Sequence, residues 1–240
     1  MKGIILAAGR GSRMGSLTTD LPKCRVKLKG KELIQWQLDN LTEGGVENIG
    51  IIRGYLANTF NFDVEYFYNE RWSETNMVVS LQSASLWLEQ EVCIISYSDI
   101  VYTSRAVMGL KAASGDIVIS YDPNWKNLWS LRFEDPLTDA ETFKLHDNRV
   151  IEIGNKTESY DDIEGQYMGL IKCTPKGWQQ IQDFLEELTQ KQRDTLDMTG
   201  LLKALIENKI DISAVAIDDN WFEVDSEEDL NIYESLDIKL

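Results

Sequence analysis

Two groups of residues have types and spacings that could do chemistry together. The first is the run Leu6-Ala7-Ala8-Gly9-Arg10-Gly11-Ser12-Arg13-Met14, followed by Leu21-Pro22-Lys23. Gly9 and Gly11 let the main chain approach a phosphate chain closely with its N–H groups turned to the oxygens, while Arg10, Arg13 and Lys23 bring positive charge. Leu6 to Ser12 would then cradle a triphosphate, and Arg13 and Lys23 would neutralise charge during reaction. Two other glycine loops fail on spacing. A dinucleotide loop needs glycine where Met14 stands, and the Gly-Lys-Ser/Thr of a P-loop is absent.

The second group is Asp99 and Asp225. Each closes an apolar stretch, residues 92–99 and 221–225, and Ser226 follows as a helix cap. Magnesium takes oxygen ligands, usually one or two protein carboxylates completed by phosphate oxygens and water, so this pair suits Mg²⁺. For Asp99 alone, capping a helix is the competing reading. His146 is the only histidine and has no partner in the sequence for a histidine-based triad or metal cluster.

The elements that must position these groups alternate between strand and helix. Residues 3–6 read as a buried first strand with the glycine loop at its carboxyl end, where ligands of open α/β sheets bind. A short strand at 26–28, a turn at Lys29-Gly30, a helix over 32–42 stopped by Gly44-Gly45, and strands at 48–52 and 64–68 follow. Met77, Leu81, Ala84 and Leu88 recur at helical spacing behind a cap at Thr75 or Asn76. A helix at 104–113 and a strand at 116–120 complete another repeat. Residues 121–169 break the alternation and read as a β-rich insertion, with a hairpin turned at Asp147-Asn148; an acceptor pocket belongs there. Afterwards come an amphipathic helix at 175–189, a helix at 199–208 and a strand at 212–217 that returns the chain to Trp221. The whole is one domain, residues 1–240, with parallel crossovers and 121–169 on the acceptor side.

Composition narrows the partners. The chain of 240 residues carries 24 basic and 40 acidic side chains, a net charge of −16, which disfavours nucleic acid. Small anions must be captured locally, as by the basic residues clustered from Arg10 to Lys29, although Lys29 suits a plain surface role. No apolar run approaches the ~20 residues of a membrane span and no signal peptide precedes the first strand, so the chain reads as cytoplasmic. Cys24, Cys93 and Cys173 are odd in number and scattered, which fits buried thiols. Oligomeric state is not legible.

The glycine loop with Arg13 and Leu21-Pro22-Lys23 resembles the signature of sugar-phosphate-type nucleotidyltransferases, which join a nucleoside monophosphate to a phosphorylated acceptor and release pyrophosphate. Residues 95–102, 128–142, 160–170 and 220–225 are similar to the CTP:phosphoglutamine cytidylyltransferases of bacterial capsule phosphoramidate synthesis and, more loosely, to choline-phosphate and aminoethylphosphonate cytidylyltransferases. The resemblance implies a Rossmann-like, mixed, mostly parallel sheet flanked by helices, with CTP as donor and Mg²⁺ as cofactor; a sugar-1-phosphate uridylyl- or thymidylyltransferase and a non-catalytic nucleotide sensor are the competing readings. Asp99 and Asp225 match the family's metal-binding aspartates. Asn76 and Ser80 match a pattern beside the base, although capping and facing solvent explain them equally well; Tyr97 and Ser98 fall on the nucleotide side. Lys156 matches a lysine that touches the acceptor phosphate, or is a surface lysine. For an amino-acid acceptor, Arg132 and Glu164 would take the carboxylate and the ammonium. For a choline acceptor, Trp125, Trp129, Tyr167 and Trp221 would form an aromatic cage; Glu223 is a further acid on that side. Core packing is the competing reading for both Trp125 and Trp129.

Overall fold

In the computed structural model, which describes residues 1–237, β1 (Lys2–Ala7) leads through the glycine loop and a 3₁₀ segment (Ser12–Thr18) to a small hairpin of β2 (Lys27–Leu28) and β3 (Lys31–Glu32). There follow α1 (Leu33–Glu43), β4 (Asn48–Arg53), β5 (Glu65–Tyr68), α2 (Met77–Gln82), α3 (Ser85–Gln90), β6 (Cys93–Tyr97), β7 (Ile100–Val101), α4 (Ser104–Ala112) and β8 (Ile117–Asp122). The middle of the chain gives α5 (Trp125–Arg132), β9 (Glu141–His146), β10 (Arg149–Lys156) and β11 (Gln166–Cys173). It closes with α6 (Pro175–Glu186), α7 (Gln190–Thr195), α8 (Met198–Glu207), β12 (Ser213–Ala216), β13 (Phe222–Glu223) and α9 (Glu227–Ser235). The last three residues of the expected 1–240 domain lie outside the described residues.

Nine strands form one sheet in the order β5-β4-β1-β6-β11-β8-β12-β10-β9. The pairings set β10 and β11 running against the other seven. The sheet is therefore mixed and mostly parallel, as expected. Its central strands are apolar on both faces because helices cover both. Along β1, Ile5 and Ala7 point into a core shared with α1 and α4, whereas Ile4 and Leu6 point into a second core shared with α6 and α8. This two-residue alternation makes β1 and β6 rigid, and everything at their carboxyl edge inherits that rigidity. In register, Leu6 of β1 lies beside Tyr97 of β6, so the glycine loop and Asp99 leave the sheet side by side.

Three elements differ from expectation. The helix anticipated beyond Asn76 is broken into α2 and α3, where the Ser85 hydroxyl donates to the Gln82 carbonyl at 2.7 Å and competes with the helical ladder. Residues 121–169, expected as a β-rich insertion, hold β9, β10 and the start of β11 but also a helix that was not expected. They open with α5, whose Trp125, Leu128 and Trp129 fall at helical spacing and are buried, and their hairpin extends the main sheet through β10 and β12. β11, which begins inside that range, inserts antiparallel between β6 and β8. α7 was not anticipated; its Thr189 and Gln192 form a capping box.

Other expectations hold. His146 is exposed at the end of β9, and the three cysteines are buried and free. Asp147 and Asn148, both at positive φ, turn the hairpin. Among the described residues no helix is long and apolar enough to cross a membrane.

Candidate active site

The glycine loop is held from below rather than by its own contacts. Gly11 adopts φ +67°, and a Cβ there would meet the Lys23 side chain at 2.6 Å, so only glycine lets the loop lie on the lysine stem. The Gly11 carbonyl accepts from the Thr18 hydroxyl at 3.1 Å and from Met14 N–H at 3.1 Å. Tyr55 braces the other side: its N–H donates to the Ala8 carbonyl at 2.9 Å, its hydroxyl to the carbonyls of Thr18 and Thr19, and its ring lies under the Arg10 guanidinium at 5.6 Å. Sequence reasoning missed Tyr55, whose only signal is its place just past the carboxyl end of β4. Leu6, Ala7 and Ala8 are buried, while Gly9, Arg10, Ser12 and Arg13 are exposed at the mouth.

Lys23, Asp99 and Asp225 meet at one point. The buried Lys23 ammonium donates to Asp99 Oδ2 at 2.7 Å and to Asp225 Oδ1 at 2.6 Å, and Arg13 pairs with the second oxygen of Asp225. Burial alone would lower the Lys23 pKa, but the two carboxylates outweigh it and hold the ammonium above its ordinary range. Lys23, expected on phosphates, thus sits between the two expected metal ligands, and Arg13, expected there too, sits on Asp225. The residues fit a small hard cation. Two carboxylates already converge on one positive charge, and Asp99 Oδ1 is buried with no hydrogen-bond partner. No group of three acidic, histidine or cysteine ligands exists among the described residues, so phosphate oxygens and water would complete any shell.

On the nucleotide side, Asn76 caps α2 by accepting from Met77 N–H at 2.8 Å. Ser80 meets neither expectation. It is buried, and its hydroxyl accepts from Asn69 Nδ2 at 3.0 Å and donates to the Asn76 carbonyl, so it neither faces solvent nor offers a free group to a base. Ser98 lies half-buried in the turn between β6 and Asp99. Tyr97, expected with the nucleotide, instead lines a cavity, packed edge-on against Tyr167 and beneath Gly169, whose φ of +80° and 2.8 Å approach to the tyrosine ring exclude any side chain.

This cavity of about 200 Å³ lies between the ends of β6 and β11 and the β9–β10 hairpin. Of the expected acceptor residues, Trp129, Lys156, Tyr167 and Glu223 line it, and so does Trp221. Glu223 joins it to the carboxylate pair: β13 runs against β7, which directly follows Asp99, and Val224 N–H donates to the Asp99 carbonyl at 2.9 Å. Trp125 is core: it is buried, and its ring stacks on Tyr160.

Arg132 and Glu164 are corrected. Glu164 is away from the cavity, accepting from the main-chain N–H of Leu145 at 2.9 Å. Arg132 is only 3% exposed at its side chain and its charge is fully used, with Nη1 donating to Glu223 at 2.7 Å and Nε to Asp229 at 2.8 Å. Burial works against this guanidinium, but Glu223 and Asp229 more than offset it and raise its pKa. Asp229 in turn accepts from the main-chain N–H groups of Asp225 and Ser226 at 3.0 and 2.9 Å. Arg132 therefore positions a cavity acid and the backbone of Asp225 without touching a ligand. Asp229 was legible in principle as the fourth residue of a Ser-x-x-Asp capping box. Arg132→Met is expected to cost about 3 kcal/mol in chemical denaturation, because it leaves buried carboxylates unpaired; a loss under about 1 kcal/mol would contradict that account.

The glycine loop on β1 and the carboxylates at the neighbouring strand end form one site at the carboxyl edge of the sheet. Residues 3–138 match the MobA-like NTP transferase domain, and the chain belongs to that family. It is 39% identical to the CTP:phosphoglutamine cytidylyltransferase of Campylobacter jejuni, over 97% of this chain and 98% of that one. The fold is similar to the inositol-1-phosphate CTP transferase from T. maritima, with TM-score 0.77, 21% identity, and 97% and 93% of the two chains covered. It is also similar to the CTP:phosphocholine cytidylyltransferase from Streptococcus pneumoniae, with TM-score 0.73, 21% identity and 97% of each chain covered.

Proposed function

We propose that this protein transfers CMP from CTP to a small phosphorylated acceptor of the phosphoglutamine type and releases pyrophosphate. The observation that carries this reading is the 39% identity, over nearly the full length of both chains, to a CTP:phosphoglutamine cytidylyltransferase. Buried reduced thiols agree with work in the cytoplasm.

The acceptor's phosphoryl oxygen is ionised at neutral pH, so it attacks the α-phosphorus of CTP in line without a general base, and the bond to the pyrophosphate oxygen breaks. Catalysis then rests on positioning and charge. The glycine loop presents main-chain N–H groups to the triphosphate. Arg13, three-quarters exposed, leaves Asp225 for the phosphates, and Lys23 shifts from the carboxylates toward the α-phosphate as negative charge grows there. Asp99 and Asp225 would hold the divalent cation, proposed as Mg²⁺, which would neutralise phosphate charge when bound. Glu223 and Trp129 line the cavity that would hold the remainder of the acceptor.

The test is pyrophosphate release by the purified protein with Mg²⁺, offering CTP, UTP or dTTP against phosphoglutamine, phosphocholine, aminoethylphosphonate and a sugar 1-phosphate. Turnover is expected with CTP and phosphoglutamine. Turnover confined to UTP or dTTP with the sugar phosphate would overturn the reading.

A further inference from the structure

The cavity contains one charged group with no partner of its own. Glu141 opens β9 directly across from Lys156 of β10, and Gln166 clamps its main chain from both sides: Nε2 donates to the Glu141 carbonyl at 2.6 Å and Oε1 accepts from the Glu141 N–H at 3.3 Å. The backbone is thus fixed, yet among the described residues the carboxylate has no hydrogen bond or ion pair. Lys156 gives its ammonium to the Asp139 carbonyl at 3.1 Å. The other two acids lining the cavity are committed, Asp139 to Trp129 Nε1 at 3.0 Å and Glu223 to Arg132. Burial pushes the Glu141 carboxyl up, and Lys156 only partly opposes this. A half-buried charge without a partner is unfavourable unless something completes it. The Tyr167 hydroxyl, lining the same cavity, is likewise buried, beside the Tyr97 hydroxyl.

The unpaired carboxylate asks for a donor, and for a positive one. A primary ammonium carries three N–H donors and a full charge. A quaternary ammonium has no N–H donor and would leave the carboxylate without a hydrogen bond. A neutral sugar would leave the carboxylate uncompensated. We infer that Glu141 is the specificity residue of the acceptor site, binding the primary ammonium of an amino-acid-type phosphorylated acceptor. This rests on the reading of the cavity as the acceptor site of a cytidylyltransferase, and it transfers to Glu141 the role expected of Glu164.

The experiment is calorimetric titration of the full chain, with Mg²⁺, using phosphoglutamine, its analogue lacking the α-amino group, and phosphocholine, run beside pyrophosphate release with CTP. Phosphoglutamine is expected to bind at least 10-fold tighter than either other ligand. Glu141→Gln is expected to weaken phosphoglutamine binding about 10- to 100-fold and to leave the deaminated analogue unchanged. Its melting temperature should not fall, since the substitution removes an unfavourable charge; Glu141→Asp, which keeps the charge and shortens the reach, should give an intermediate loss. Equal binding of the aminated and deaminated ligands by the unaltered protein, no binding of either, or equal weakening of both by Glu141→Gln would overturn the inference. The two readings fail separately. Glu141-dependent binding with no pyrophosphate release would sink the transfer reading and leave the ammonium site standing. Brisk release with an unchanged KM for phosphoglutamine in Glu141→Gln would do the reverse.

Discussion

Asp225→Asn is expected to lower cytidylyl transfer by about three orders of magnitude while the protein remains folded. The side chain of Asp225 is buried against Lys23 at 2.6 Å and also pairs with Arg13, so asparagine keeps the shape and removes the charge that both cations and the proposed Mg²⁺ need. Folding should survive because α9 is anchored elsewhere. Asp229 accepts from the main-chain N–H of residue 225, which asparagine still supplies, and Lys23 retains Asp99. Steady-state pyrophosphate release over a range of Mg²⁺ concentrations, with a thermal melt as control, decides the matter. The variant should fall in kcat and require more Mg²⁺. Activity within about 10-fold of the unaltered protein, at the same Mg²⁺ requirement, would remove Asp225 from the site.

What could be read from the sequence is what short-range spacing encodes. Gly9, Gly11, Arg13 and Lys23 lie within one loop, so their chemistry shows as a string of residue types. Asp99 and Asp225 could be placed because each ends an apolar strand, and strands of one sheet share a carboxyl edge. The acceptor side was harder to read because its residues meet only in the folded chain. Glu141 and Gln166 meet although β8, β12 and β10 stand between β9 and β11 in the sheet, and nothing local in the sequence marks that contact. Arg132 shows the same limit from the other direction. A lone arginine beside tryptophans looked available to a ligand, but its partners stand 91 and 97 residues away on β13 and α9 and take its whole charge. Ser80, which reads equally as a base contact or a solvent-facing cap, is covered by Asn69, just past the end of β5.

Lys23→Met should have an effect of similar size on turnover and a second effect that is more diagnostic. The ammonium of Lys23 is the only positive charge placed between Asp99 and Asp225 among the described residues, and Glu223, whose carboxyl is pushed up by burial, feels both carboxylates as repulsive neighbours. Removing the ammonium and keeping an apolar stem under Gly11 leaves a cluster of acids with only Arg13 and Arg132 at its margins. Without divalent cations the variant should lose about 3 kcal/mol of stability, as expected when one partner of a buried ion pair is deleted. Turnover should fall at least about 100-fold, because the charge that follows the α-phosphate through the transition state is gone. Mg²⁺ should then stabilise the variant more than the unaltered protein: the two aspartates no longer have to give up a lysine in order to bind it, and a ligand that binds only the folded state raises stability in proportion to its affinity. Melting curves with and without Mg²⁺ make the comparison directly. If Mg²⁺ shifts the two proteins equally, the lysine and the metal do not compete for the same oxygens, and Asp99 and Asp225 serve the fold through Lys23 alone.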